Sequence, residues 1–374
     1  MNIRKKEAKS KEARLLNPYL ITVFAVTLLC IICYIIFPYS VAFSGAVMKY
    51  VGGPIRATLA ALTNYIPFSL AEAFLLFAPV LAVVAAVSAI KKYSATWRLT
   101  AVFVLRALSL VCIVLIIFVL GFAGGYRAEA LESRLGMERK NVSVEELKET
   151  TSFLVNKLNE LKDEIGFLEK SFSVMPYSFR DMTDKLNVAY VSLAEKYDFL
   201  QAFYSRPKQV ILSEPWTYTH IAGVYTFFTG ESNINVNMPE YTLPYTTAHE
   251  MAHQRGISRE DEANFIAFLV CDSSDDPYIR YSGYLSLYEY VSNALYGVDQ
   301  DAYNEINSSL DLAVRYEMYS YSLFFEKYRE NTAADISGSI NDSYLQSQGT
   351  VGTKSYGMVV DLACAYVKAL SGNE

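Results

Sequence analysis

Imidazole is nearly absent from this chain. His220, His249 and His253 are its three histidines in 374 residues, so a histidine-based metal site has only these to draw on. Thiol is scarce too. Of five cysteines, Cys30, Cys33 and Cys112 fall in long apolar runs, leaving Cys271 and Cys364. Those two either pair in an oxidising compartment or sit apart as buried thiols in helices, and the sequence leaves the choice open. Positive charge is deficient over residues 126–374, where 21 Lys and Arg face 36 Asp and Glu, a net of −15. Nucleic acid requires a basic footprint and is excluded as a partner. Internal repeats and low-complexity linkers are also missing.

Charge itself is missing from three stretches. "NPYLITVFAVTLLCIICYIIFPY" (17–39) has none, "IPFSLAEAFLLFAPVLAVVAAVSAI" (66–90) has Glu72 alone, and "LTAVFVLRALSLVCIVLIIFVLGFAGG" (99–125) has Arg106 alone. Each exceeds the roughly 20 residues that cross a bilayer core, and the first is too long for a signal-peptide core of about 7–15 residues. Transmembrane helices are expected at about 18–38, 67–90 and 99–124. Lys and Arg concentrate before the first span (Arg4, Lys5, Lys6, Lys9, Lys11, Arg14) and between the second and third (Lys91, Lys92, Arg98). The positive-inside rule then makes the N-terminus cytoplasmic and residues 126–374 extracytoplasmic. Glu72 lies near the outer end of its span, where snorkelling or a local polar contact accounts for it. Residues 40–65, with a Gly-Gly-Pro break, read as an external segment lying near the membrane surface.

Beyond residue 125 the texture is mostly helical. Ser143 and Glu146 form a capping-box start, and a second helix is expected from about Ser178 to Phe203. "KQVILSE" and "AGVYTFFTGESNINVNM" read as strands. Helix returns around Tyr281–Leu295 and Tyr356–Leu370. The expected fold is α+β: a three-helix membrane anchor (1–125) followed by a mainly helical domain with one small sheet (126–374).

Two of the rare histidines stand four residues apart in "TTAHEMAHQRG" (246–256). At 3.6 residues per turn, His249 and His253 share a helix face, as zinc ligation requires. Glu250 reaches a metal-bound water without being a ligand and is the expected catalytic base. A catalytic zinc needs a third protein ligand and an open fourth position. Gly256 ends the helix, Ser258 reads as the N-cap of the next, and Glu262 shares a face there with Phe265, Ile266 and Leu269. A buried charge needs a partner or a metal, so Glu262 is the expected third ligand, with Glu260 and Asp261 as alternatives. The strand over 230–237 reads as a candidate pairing partner for an extended substrate or as an ordinary edge strand. His220 reads as structural in preference to a catalytic donor, and Tyr356 as a candidate oxyanion donor among many tyrosines.

The chain resembles a family of bacterial membrane proteins of unknown function that carries a zincin motif. The shared segments are "IPFSLAE" (66–72), "TTAHEMAHQRGISREDEANFIAFL" (246–269), "YSGYL" (281–285), "YLQSQG" (344–349) and "SYGMVVDL" (355–362). It is also similar to gluzincins, which implies His249, His253 and Glu262 as zinc ligands and Glu250 as base. The expectation is therefore a multi-pass protein of the bacterial cell membrane whose zincin-like extracytoplasmic domain hydrolyses peptide or protein substrates. The alternatives are a non-catalytic zinc-binding sensor, adaptor or envelope assembly protein, and a zinc amidase acting on cell-wall material.

Overall fold

The structure, a computed structural model, describes residues 17–93 and 97–371, without the side chains of 89–93, 97, 99 and 371. The basic residues before position 15 lie outside it, as do the side chains of Lys91 and Lys92, and these carry most of the orientation argument.

Three helices are long and apolar enough to cross a membrane, over Pro18–Tyr39, Leu70–Ser88 and Thr100–Arg127. Their helical cores are α1 (Pro18–Ile36), α3 (Leu70–Tyr93) and α4 (Trp97–Gly121). Between the first two, the expected break at Gly52-Gly53-Pro54 is a junction of helices. A π-turn over Met48–Gly52 passes into α2 (Gly53–Thr63), and Pro54 sits in the first turn, where its missing N–H costs nothing. Arg56 on α2 is 3% exposed. It donates to the Gly121 carbonyl at 2.6 Å, to Met48 O at 3.2 Å and to Gln201 Oε1 at 3.1 Å. It therefore fastens the last turn of α4 to the segment above it. Burial lowers the guanidinium to about 10, leaving it charged at neutral pH.

The first turn of α3 is held by the rest of the chain. The N–H groups of Leu70 and Ala71 donate to the buried Glu231 carboxylate at 3.2 and 3.1 Å, a negative charge at a helix N-terminus. Glu72 accepts from Ile211 N at 2.9 Å and Leu212 N at 2.8 Å. The lone charge of this apolar segment thus has a local polar contact.

The C-terminal region is built from α5 (Val144–Leu161), α6 (Phe179–Lys196), strands β1 (Lys208–Gln209), β2 (Gly223–Thr226) and β3 (Glu231–Ile234), then α7 (Thr242–Gln254), α8 (Glu260–Asp272), α9 (Pro277–Val298), α10 (Leu312–Glu326), α11 (Thr332–Ser347) and α12 (Val359–Ser371). The capping box at Ser143 and Glu146 is present with both bonds. Helix α6 stops at Lys196, short of Phe203. The chain then runs without helix to Ser205, whose N–H and carbonyl both bond the Asn187 side chain. One core joins these helices through Leu154, Leu158, Tyr190, Phe265, Phe268 and Leu285, all fully buried. Cys271 and Cys364 are separate buried thiols. In the sheet, ordered β1-β3-β2, β3 is central, parallel to β1 and antiparallel to β2. Strand β3, read from the sequence as a pairing partner for a substrate or as an ordinary edge strand, is neither, since both its edges are paired. Among the described residues no strand pairs with the other edge of β2, and β2 lies against α7 where Gly223 meets Glu250.

Candidate metal centre

Helix α7 is clamped before it presents any chemistry. Tyr190 Oη donates to Ala248 O at 2.6 Å, Ser232 Oγ to Glu250 O at 3.0 Å, and the Gln254 amide to Gly230 O at 2.6 Å. The helix ends as expected at Gly256, which has φ +93°. Gly256 N bonds His253 O and Ile257 N bonds Ala252 O, the paired bonds of a Schellman stop that a left-handed glycine allows. The reversal is tight, and α8 starts with Glu260. Its N-cap is Arg259, not Ser258. Ser258 instead donates to the Phe122 carbonyl at 2.9 Å.

This geometry brings His249, His253 and Glu260 together, with their ligand atoms within 4.8 Å of one another. Glu260 Oε2 lies 3.3 Å from His249 Nε2 and 3.2 Å from His253 Nε2. All three residues are less than 9% exposed. His253 Nδ1 lies 2.7 Å from the Ile257 carbonyl, which only accepts, so Nδ1 carries the hydrogen. A neutral His253 would then point the Nε2 lone pair at a carboxylate oxygen, which is repulsive. A proton on Nε2 or a cation shared by the three groups removes the conflict. Burial works against a charged His253 ring, but Glu260 outweighs it and raises the group to about 9. Burial likewise opposes charge on Glu260, and the two imidazoles bring its carboxyl well below the ordinary range. His249 Nδ1 is buried without a partner. Two imidazole nitrogens and a carboxylate oxygen converging on one point are a fitting donor set for zinc.

Glu262 is not part of this group. Its Oε1 accepts from Leu131 N at 3.0 Å and Arg259 at 2.7 Å, and its Oε2 from Arg134 at 2.9 Å. The expectation of an inward carboxylate was right, since Glu262 is 2% exposed, but guanidinium and backbone donors fill its shell. The two acids before it in the first turn are buried as well. Glu260 is 7% and Asp261 5% exposed, and Asp261 pairs with Arg139 at 2.7 Å. Three consecutive buried acids face three different cationic surroundings. The five-residue connection sends the first of them, Glu260, back to the histidines. The shortness of "RGISR" was the signal available in the sequence.

Glu250 is 5% exposed. Burial raises its carboxyl above the ordinary value, against the pull of the two histidines and the Tyr225 N–H. Strand β2 runs directly beside it. A Cβ on Gly223 would meet Glu250 Cγ at 2.7 Å and Oε1 at 2.8 Å, so only glycine leaves the carboxylate its place. Tyr356 is half-buried, with Asn341 Nδ2 3.4 Å from its hydroxyl. Burial, reinforced by Glu260 and Glu250, pushes that hydroxyl well above the ordinary tyrosine value. It stays a proton donor in the field of both carboxylates. His220 is elsewhere, at φ +60°, its Nε2 2.6 Å from the Tyr328 carbonyl and its ring on Phe325. The sequence reading missed Gly223, Tyr225 and Phe122. Phe122 meets the His253 ring edge-on at 5.9 Å.

Residues 49–364 match the family described as "Protein of unknown function (DUF3810)", and the chain belongs to that family. No curated protein and no solved structure matches it.

Proposed function

We propose that the protein is a membrane-anchored zinc peptidase. The observation that carries this reading is the convergence of His249, His253 and Glu260 beside Glu250, which lies against β2. His249 Nε2, His253 Nε2 and a Glu260 oxygen would hold the ion. No fourth His, Cys, Asp or Glu among the described residues joins that group, so a position stays open, as in catalytic sites. A structural site would close it. Bound zinc supplies a Lewis acid and a water whose pKa falls to about 7.

The chain's own groups do the rest. Apart from the Tyr225 N–H, which Glu250 accepts from, the outer edge of β2 offers backbone N–H and C=O groups to an extended peptide. Glu250, its basicity raised by burial, takes a proton from the attacking water as the new C–O bond forms. It returns that proton to the amine nitrogen as the C–N bond breaks, giving a carboxylate and an amine. Tyr356 is suited to donate to the oxygen that gains charge, and its raised hydroxyl pKa keeps that proton in place. His253 is oriented by the Ile257 carbonyl.

The test uses full-length protein in micelles. Metal content is measured by mass spectrometry, and turnover on degenerate peptide libraries is compared between wild type and Glu250→Gln. We expect about one zinc per chain in both proteins and a rate loss of ~10²–10⁴-fold in the variant. A wild type that holds no zinc would overturn the reading. Zinc held without turnover on any peptide would favour a sensor or assembly role.

A further inference from the structure

The metal group sits at the end of a membrane-crossing helix. Phe122, whose ring meets His253, belongs to the Thr100–Arg127 span. Strand β2 leads from Glu250 toward the second and third spans. Gly223 and Tyr225 lie against Glu250. Just past the strand, Phe227 packs on Phe118 of the third span at 5.1 Å, and Phe228 packs on Phe74 of the second at 6.0 Å. At about 3.3 Å per strand residue, Gly223 to Phe227 covers only ~13 Å.

A chain added to the free edge of β2 therefore has one end at Glu250 and the other where the second and third spans meet the sheet. Aromatic side chains pack there in one cluster of Phe118, Phe122, Tyr126, Tyr225, Phe227 and Tyr344, and tyrosine is enriched at membrane–water interfaces. The second span buries none of its apolar window within the protein. Its described polar bonds to the C-terminal region lie in its first turn. Below that turn it presents lipid-facing surface toward which a second apolar helix can diffuse in the plane of the membrane.

Resting on the peptidase reading above, we infer that the substrate is a polypeptide anchored in the same membrane and cut within a few residues of its anchor. Tethering both partners in one bilayer raises their effective concentration. The ~13 Å reach of β2 selects bonds near the lipid boundary.

The experiment places full-length zinc-loaded protein in phosphatidylcholine vesicles. The substrates carry one degenerate segment in three forms: free, joined to an apolar helix of about 20 residues by a spacer of ~2 residues, or joined by a spacer of ~20 residues, which reaches roughly 25 Å. Glu250→Gln is the blank, and mass spectrometry locates the cuts. We expect the short-spacer form to be cut at least ~10-fold faster than the free segment and faster than the long-spacer form, with cuts clustered beside the helix. Equal cutting of all three forms would overturn the inference and leave the peptidase reading standing. Cutting of none, with zinc bound, would overturn both.

Discussion

The first turn of α8 carries two carboxylates, two residues apart, that answer the same problem in different ways. Glu262 faces only fixed donors, namely the Leu131 N–H, Arg134 and Arg259. Its charge is matched by hydrogens that stay in place at any ordinary pH, so it is a structural ion-pair centre. Glu260 faces two imidazole nitrogens, and one of these has its other nitrogen committed to a carbonyl. Its partners match it only when a proton or a cation lies between. Burial alone does not separate the two acids, since both are under 9% exposed. What separates them is whether the facing atoms are obligate donors.

Substituting each acid in turn sharpens this comparison most. Glu260→Ala is expected to lose zinc and turnover together, by more than ~10³-fold in rate, with little change in fold. Glu262→Gln is expected to keep zinc and lose about 1–3 kcal/mol of stability, because Arg134 and Arg259 are left partly buried beside a neutral group. Metal content and thermal unfolding of the two variants read this directly. If Glu262→Gln loses zinc while folded and Glu260→Ala does not, the assignment is reversed. A smaller effect is expected from Gly223→Ala, whose new methyl displaces the Glu250 carboxylate. The rate should fall ~10–100-fold with zinc content unchanged, and an unaltered rate would show that β2 does not set the position of Glu250.

A last effect, on stability alone, comes from a half-buried carboxylate that faces tyrosines. Glu289, beside Tyr241 with Glu317 in range, is raised by desolvation from 4.5 to about 7. The folded chain holds that proton more tightly than the unfolded chain. Its contribution is full below about pH 4.5 and declines as pH rises toward 7. Wild type should therefore lose about 1–3 kcal/mol relative to Glu289→Gln between ~pH 5 and ~pH 8. Parallel unfolding midpoints for the two proteins would remove Glu289 from this role.

The spans were legible because an apolar run of bilayer length has few other readings, and α7 because residues i and i+4 on a helix have one geometry. The Gly256 stop and the Ser143 capping box were legible as local chemistry. The choice among Glu260, Asp261 and Glu262 was not, because it depends on Arg134, Arg139 and Leu131, more than 100 positions away in the chain. The edge role of β2 was hidden for a similar reason. Strand order is fixed by the parallel pairing of β1 with β3, which local patterns do not specify.

Arg56 and Ser258 carry a consequence for how freely this protein can be dissected. Arg56 ties Gly121 O to the Arg255 region, and Ser258 ties the connection between α7 and α8 to Phe122 O. One cluster holds Phe122 and Tyr126 together with Tyr225 and Leu345. The spans are thus not an interchangeable stalk. Grafting residues 126–374 onto foreign helices, or releasing them as a soluble piece, would strip His253 of the ring beside it and Ser258 of its acceptor. A loss of function in such a chimera would report a missing wall and not a missing anchor.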